Sequence, residues 1–326
     1  MSARLPIGVV GVGALGIHHA RHLARIDEVE LVGFYDISRR RTREVEAAVG
    51  VRGFADLNTL LHRVSAVTIA VPTVSHAEVG LAALARGVPV LLEKPLAATL
   101  GEADALVAAA SHGGVQLQVG HIERFNPALR AAERYLDRPG FIEGRRLAPF
   151  QVRGTDVPVV LDLMIHDLDL ILHLTGGSEA VDVRAVGEAV LSPHLDLAHA
   201  RVEFGCGAVA SVTASRIARD RVRRLRLYQA DGCLSLDLAA GHGEFLRLRE
   251  GWNFAEPACQ EDLIERIPLE APRADALSLE LLSFIHAVRG DREAVVSGEE
   301  GRAALALALE VSAAVARGAR AVPAAS

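Results

Sequence analysis

A β-branched run, Ile7–Val10, enters Gly11-Val12-Gly13-Ala14-Leu15-Gly16 and passes at once into a helical pattern, Leu15–Ile26. Few folds use three glycines at this spacing between a strand and a helix. In a dinucleotide-binding unit the first glycine permits the tight turn and the second lets a pyrophosphate approach the backbone. The third lets helix and strand pack closely, while the helix N-terminus faces the phosphates. A glycine turn that merely joins strand to helix is the plain alternative. Asp36 favours the first reading, because it stands twenty residues after Gly16 at the end of the next β-branched run, Glu30–Tyr35. A carboxylate there accepts ribose hydroxyls and repels a 2′-phosphate, so NAD is expected over NADP. Gly11, Gly13, Ala14, Leu15, Gly16 and Asp36 are therefore the first cofactor candidates. Arg39, Arg40, Arg41 and Arg43 follow, either as a solvated first helical turn or with one arginine stacked on adenine or against a 2′-phosphate.

The alternation continues. Val64–Val71, Val88–Leu92 and Val115–Val119 read as strands, and Ser75–Arg86 and Thr99–Ser111 as helices between them. Strand and helix in turn describe a parallel sheet covered on both faces. Beyond residue 120 the pattern changes. Asn126-Pro127 offers an N-cap and first-turn residue, and one apolar helix is expected over Val160–Leu174. Strands are expected at Val181–Val190, Ala198–Phe204, Ala208–Ser215, Arg223–Gln229, Cys233–Asp237 and Glu244–Arg249, then helices around 276–289 and 299–317. The expected architecture is an α/β Rossmann domain, a doubly wound parallel sheet over residues 1–120. A C-terminal α+β domain on an antiparallel sheet follows over 121–326.

Composition narrows the function. The 326 residues carry a net charge of −6 and only 4% aromatics, which gives no support for nucleic-acid binding. No run approaches the ~18 apolar residues of a membrane span, and the N-terminus lacks the marks of a signal peptide. Three cysteines without a C-x-x-C fit a reducing cytoplasm.

Of 35 basic residues one is lysine, Lys94, in Glu93-Lys94-Pro95 directly after a parallel strand. Ligands bind beyond the carboxyl ends of such strands. A titratable ammonium there can hydrogen-bond a hydroxyl or share in proton transfer, which arginine cannot do in the same way. A surface lysine at a strand end is the bland alternative. Glu93 and Lys94 join the cofactor candidates, as do Pro72, Thr73 and His76 after Val64–Val71. In the apolar helix, Asp162, His166, Asp169 and His173 fall on one stripe. His166 can move a proton near neutral pH, with Asp162 orienting it. The same stripe permits a metal site of two His and two Asp, or an Asp–His pair with a packing role only. No other part of the sequence asks for a metal.

With these residues placed, the chain resembles the glucose–fructose oxidoreductase, inositol dehydrogenase and MocA family (Gfo/Idh/MocA). The marks are the GVGALG loop, Glu93-Lys94-Pro95, Asp162-x-x-x-His166-x-x-Asp169 and Val296-Ser297-Gly298-Glu299-Glu300-Gly301. The resemblance implies hydride transfer between a nicotinamide and a sugar or cyclitol carbon. It implies that Lys94 contacts the reacting hydroxyl, that His166 is the acid/base and that Asp162 supports it. It also implies a large open antiparallel sheet that often forms a subunit interface, hence a homodimer or homotetramer. Val160, Leu161 and Leu163 depart from the glycines the family often places around the aspartate.

Gly120-His121-Ile122-Glu123-Arg124-Phe125-Asn126-Pro127 is similar to the segment of the family's UDP-N-acetylglucosamine 3-dehydrogenases. That likeness implies a UDP-N-acetylhexosamine oxidised at its 3-hydroxyl, ahead of an aminotransferase, for surface glycans such as lipopolysaccharide. A local cap and ion pair is the alternative for these eight residues. Arg124, Asn126, Arg146 and Arg153 are candidates for the nucleotide-sugar, its diphosphate above all. Arg216, Arg219, Arg221, Arg223, Arg224 and Arg226 are expected to be split between sheet faces. A dehydrogenase of a free sugar or cyclitol is the second reading, and a non-catalytic NAD-binding sensor the third.

Overall fold

Strands β1 (Leu5–Val10), β2 (Val29–Tyr35), β3 (Gly53–Phe54), β4 (Ala66–Ile69), β5 (Val90–Glu93) and β6 (Leu117–Gly120) form one sheet in the order β3-β2-β1-β4-β5-β6. Every pair in it is parallel. Helices α1 (Gly16–Leu23), α2 (Arg39–Val49), α3 (Leu57–Leu61), α4 (His76–Leu84) and α5 (Leu100–Gly113) connect the strands. The order reverses between β1 and β4, and that switch point is where doubly wound sheets bind ligands. β4 buries all its residues and β5 buries Val90, Leu91 and Leu92, as strands covered on both faces do, and Thr68 is the one polar side chain among them. The structure, a computed structural model, describes residues 3–151, 157–249, 259, 263–272 and 274–321.

The chain divides into two units, Met1–Ile122 with Ala274–Arg302 and Glu123–Arg273 with Ala303–Ser326. The first crossing lies two residues from the expected boundary at 120/121. The segment 274–302, expected in the second domain, belongs to the first unit. Its helix α8 (Ala276–Arg289) puts Leu281, Phe284 and Ile285 into one core with Ile7, Val9, Val12, Ala20, Leu23 and Leu91. His22 Nδ1 and Ser278 Oγ meet at 2.8 Å beside it.

The Val296–Gly301 motif is structural. Val119 N donates to the Val296 carbonyl at 3.1 Å, and Ser297 and Glu300 cap each other's backbone at the start of the last helix, α9 (Gly298–Ala321). A Cβ on Gly301 would stand 2.9 Å from Val119 Cβ, a branched strand residue that cannot step aside. Gly301→Ala is therefore expected to cost about 1–3 kcal/mol of unfolding free energy in a denaturant titration.

The second unit contains α6 (Pro127–Ala132), α7 (Ile165–Leu174) and eight strands. They are β7 (Phe141–Leu147), β8 (Ala180–Glu188), β9 (Leu197–Phe204), β10 (Val209–Ser215), β11 (Val222–Gln229), β12 (Gly232–Asp237), β13 (His242–Leu248) and β14 (Ile264–Glu270). Their order is β14-β13-β12-β11-β7-β10-β9-β8, antiparallel throughout except for the parallel pair β7–β10. Alternate residues (Ala198, Ala200, Val202, Ala210, Val212, Leu225, Leu227) pack against Met164, Ile165, Leu168 and Ile171, and against Leu307, Ala308 and Val311 of α9.

Two strands of this second sheet are absent from the sequence expectation, as is the two-residue β3 of the first. β14 carries Pro268, which a strand tolerates at the sheet edge, where β14 lies. β7 sits at the sheet's centre, yet its inward residues are Ile142, Gly144 and Arg146, so the apolar alternation is broken. The expected single α-helix over Val160–Leu174 is instead a π-helical turn, Val160–Met164, followed by α7.

Candidate active site

The glycine loop fits a dinucleotide. Gly11 has φ +79°, and a Cβ there would stand 2.8 Å from the Ala70 carbonyl oxygen. A Cβ on Gly16 would collide with the Gly11 carbonyl, which is the close helix–strand contact the third glycine serves. Gly13 is the opposite case: a Cβ there would meet nothing within 4 Å, which leaves its backbone open to a phosphate. Ala14 and Leu15 complete the loop, and Leu15 is exposed.

Asp36 does local work as well. Its Oδ2 accepts Val12 N at 2.9 Å and its Oδ1 accepts Ser38 N at 2.8 Å, so the carboxylate ties the end of β2 to the glycine loop. Ser38 N-caps α2. Of the arginines that follow, Arg41 is turned inward. Its Nε donates to the Val12 carbonyl at 2.7 Å and its Nη2 to the Gly13 carbonyl at 3.1 Å, while Nη1 meets Glu44 at 3.2 Å. Arg39, Arg40 and Arg43 are exposed.

Pro72 and Thr73 lead into a short 3₁₀ turn beyond β4. His76 is buried, with Nδ1 2.8 Å from the Pro95 carbonyl and Nε2 3.0 Å from the Val71 carbonyl. Burial holds the imidazole below its usual range despite these two carbonyls, and a neutral ring donates to only one of them. His76 thus braces the Glu93-Lys94-Pro95 turn, whose Lys94–Pro95 bond is cis.

Glu93 fixes that turn from the other side. Its Oε1 meets His19 Nε2 of α1 at 3.0 Å and its Oε2 accepts Lys94 N at 3.2 Å. Burial works to raise the Glu93 carboxyl. The hydrogen bond and charge of His19, with Lys94, outweigh this and hold it below the ordinary range. Lys94 is half-buried. His19 escaped the sequence reading, since nothing in α1 marks it as a partner for a strand end far along the chain.

In the second unit Asp162 lies in the π turn and His166 in the first turn of α7, both half-buried. π turns inside helices cluster at functional sites. Asp162 and His166 are therefore joined by a wider turn than the single α-helix expected from the sequence. Asp169 is buried and grips Arg124, with Nε–Oδ2 at 2.7 Å and Nη2–Oδ1 at 2.9 Å, while His173 is exposed. Among the described residues no cluster of three His, Cys, Asp or Glu side chains is placed to hold a metal ion.

The Gly120–Pro127 segment supplies one side of a closed charge network. Arg146 of β7 forks onto Asp167, with Nε–Oδ2 at 2.9 Å and Nη2–Oδ1 at 2.8 Å, and gives Nη1 to Glu123 at 2.8 Å. Burial opposes its charge, but Asp167 and Glu123 prevail and hold the guanidinium above its usual range. Asn126 donates to Glu123 and to the Leu238 carbonyl, and its Oδ1 caps α6 through Ala128 N. Arg124, Asn126 and Arg146 are all buried. The structure therefore places three of the four expected diphosphate or sugar contacts in the framework that carries His166. The fourth, Arg153, lies outside the described residues.

Of the later arginines only Arg223, Arg224 and Arg226 lie in a strand, so alternation divides those three alone. Arg216 is buried, giving Nη2 to the Val157 and Leu195 carbonyls, with Nε 3.4 Å from Asp196. Arg224 and Arg226 face Asp237 and Glu143 on the exposed side, and Arg219 and Arg221 are exposed. Arg223 reaches Glu123 at 3.5 Å while keeping 41% of its side chain exposed, which makes it the arginine of this set that borders both the network and solvent.

Family models match both units. "Oxidoreductase family, NAD-binding Rossmann fold" covers residues 5–121, and "Oxidoreductase family, C-terminal alpha/beta domain" covers residues 146–322. A UDP-N-acetylglucosamine 3-dehydrogenase from Acidithiobacillus ferrooxidans is 38% identical over 313 residues, covering 94% of this chain and 96% of its own. A solved structure under that name superposes with a TM-score of 0.89 at 37% identity, covering 96% and 98% of the two chains. A myo-inositol 2-dehydrogenase from Thermotoga maritima is 26% identical over 323 residues, covering 92% and 93%. A dehydrogenase from Bordetella pertussis, solved with NADH and UDP-GlcNAcA, shares the fold with a TM-score of 0.79 at 22% identity, covering 98% and 97%.

Proposed function

The chain belongs to the Gfo/Idh/MocA oxidoreductase family, and from that membership we propose that it oxidises the 3-hydroxyl of a UDP-N-acetylhexosamine to the ketone, with NAD as acceptor. One observation carries the substrate. The UDP-N-acetylglucosamine 3-dehydrogenase relative holds 38% identity over 94% of the chain, whereas the inositol dehydrogenase that matches over a similar length, 92%, is 26% identical.

NAD supplies the carbon atom that takes the hydride. The glycine loop holds its phosphates, with the open backbone at Gly13 as the point of approach. Asp36 accepts the ribose hydroxyls, and Arg41 braces the loop from beneath. In this reading Lys94 donates to the oxygen of the reacting hydroxyl and steadies it as negative charge builds there. His166 takes the hydroxyl proton, leaving carbon and oxygen joined by a double bond, and Asp162 supports the imidazolium that results. The two Arg–Asp forks fix the helix on which His166 rides. The 3-keto product is consumed by an aminotransferase, and the enzyme works in the cytoplasm as a homodimer or homotetramer. Three cysteines, in no disulfide among the described residues, fit that compartment.

The deciding assay follows NADH formation with UDP-N-acetylglucosamine, with an aminotransferase and amino donor present to remove the ketone. A panel of UDP-hexosamines, free sugars and cyclitols accompanies it. Turnover confined to UDP-sugars is expected. Turnover of free sugars or cyclitols at equal kcat/KM removes the nucleotide-sugar assignment.

Asp36→Ala separates cofactor from substrate. It deletes two loop-fixing hydrogen bonds together with the ribose acceptor. Hydrogen bonds to charged groups contribute about 1.5–3 kcal/mol, so NAD affinity is expected to fall by roughly 10–100-fold in calorimetric titration.

A further inference from the structure

One row across the parallel sheet carries two polar side chains, Thr68 and Gln118, among apolar neighbours. Thr68 of β4, Leu91 of β5 and Gln118 of β6 are register partners, so their side chains share a face. That face lies under α8, because Leu91 and Val9, the β1 partner of Thr68, share a core with Leu281, Phe284 and Ile285. Glu280 of α8 is fully buried, and Gln118 Nε2 donates to its backbone carbonyl at 3.4 Å. Glu93 follows Leu91 on the same face of β5. Its carboxylate lies over Gly120, where a Cβ would stand 3.2 Å from Glu93 Oε2.

Thr68 Oγ1, Gln118 Oε1 and both carboxyl oxygens of Glu280 are buried and meet no hydrogen-bond partner among the described residues. With Glu280 ionised, its two oxygens and Gln118 Oε1 can only accept, and the Thr68 hydroxyl brings one hydrogen. More must come from elsewhere, because leaving even a few groups unmet erodes the margin by which a domain stays folded. A proton on Glu280 supplies one hydrogen. Buried water supplies others, since such a molecule makes about three hydrogen bonds to groups of this kind. An anionic Glu280 would add to the deficit. Burial and the nearby Glu93 charge push its carboxyl well above the carboxylate range. The titratable groups on the Glu93 side are His19 of α1, Lys94 and the buried His76. His19 and Lys94 favour Glu93 as the anion, while burial disfavours a charge on His76.

We propose that Glu280 is a neutral carboxylic acid in the folded protein, sharing buried water with Thr68 and Gln118, so that Glu93 remains the single negative charge beneath the Lys94 turn. Glu280 is then a positioning residue, and the assignment does not rest on the sugar reading.

Infrared spectra of the full chain at neutral pH test this directly, wild type against Glu280→Gln. The expected difference is the carbonyl stretch of a protonated carboxyl, present in wild type, shifted by D₂O and lost in the variant. A difference that shows a lost carboxylate band, or none, overturns the proposal. Unfolding measured against pH gives a second reading. The folded state keeps a proton that the unfolded glutamate releases above about pH 4.3. Wild type should therefore lose stability as pH rises from there through the folded titration, by up to tenfold per pH unit in the folding constant relative to Glu280→Gln. Parallel curves overturn the proposal. So does a wild-type stability that tracks Na⁺ or K⁺ at constant ionic strength, because the acceptors would then hold a cation. If Glu280→Gln does not fold, ¹³C-glutamate-labelled wild type decides: one glutamate protonated past neutrality supports the proposal, and none overturns it.

Discussion

Lys94→Met is expected to lower kcat for sugar oxidation by roughly 10²–10⁴-fold while NAD affinity stays near the wild-type value. The turn that carries Lys94 is fixed from two sides, by His76 on the Pro95 carbonyl and by Glu93 on Lys94 N. Removing the ammonium therefore leaves the backbone in place, and the loss reads on the side chain itself. Lys94→Arg tests the same point by a different route. In a chain with one lysine among 35 basic residues, arginine is the substitution its composition tolerates everywhere else. Here it should fail almost as badly as methionine, because a guanidinium is larger, fork-shaped and permanently charged. His166→Ala should give a loss of similar size, with the pH dependence of kcat changed because the group that takes the proton is gone. Near-wild-type turnover in both Lys94→Met and His166→Ala would remove the assignment of the chemistry to these two side chains.

What was legible in the sequence was local. The glycine loop, Asp36 and the buried strands of the first unit declare themselves because each pattern is set by its own few residues. Three features were hidden for physical reasons. The apolar stripe of α8 says that the helix is half-buried, but not that the core it completes contains Ile7 and Leu91. β7 was unreadable because its inward positions hold Gly144 and Arg146, and an arginine faces inward only when distant carboxylates meet it. The π turn at Val160–Met164 changes the helical period without changing the kind of residue, so nothing in the sequence separates the winding at Asp162 from that at His166 and Asp169. Arg124 misled for a related reason. A diphosphate and an aspartate ask for the same fork, and the aspartate lies 45 residues further along the chain.

Arg146→Met is expected to destabilise the protein by about 3–5 kcal/mol in a denaturant titration, because it strands buried carboxylates without their shared guanidinium. The network is balanced as it stands: Glu123, Asp167 and Asp169 face Arg124, Arg146 and Arg223. Arg146 alone makes three of its bonds, two to Asp167 and one to Glu123. Arg146→Lys should recover little, since one ammonium cannot reproduce a two-point fork and still reach a second carboxylate. Arg146→Met with Asp167→Leu should recover more, because the remaining carboxylate, Glu123, keeps Asn126 and has Arg223 at 3.5 Å. Asp167 also stands next to His166 on α7, so the fork fixes how that turn is rotated. Any variant stable enough to assay should then lose kcat with KM for the sugar less affected, whereas a framework role unconnected to His166 would leave the turnover of the folded fraction unchanged. Arg124 and Asp169 form the second fork one residue beyond Leu168, and two forks on neighbouring positions resist rotation in a way that one does not. The single Arg124→Leu variant should therefore cost stability of the same order as Arg146→Met and lower kcat in the same way, since Asp169 stands three residues from His166 on the same helix.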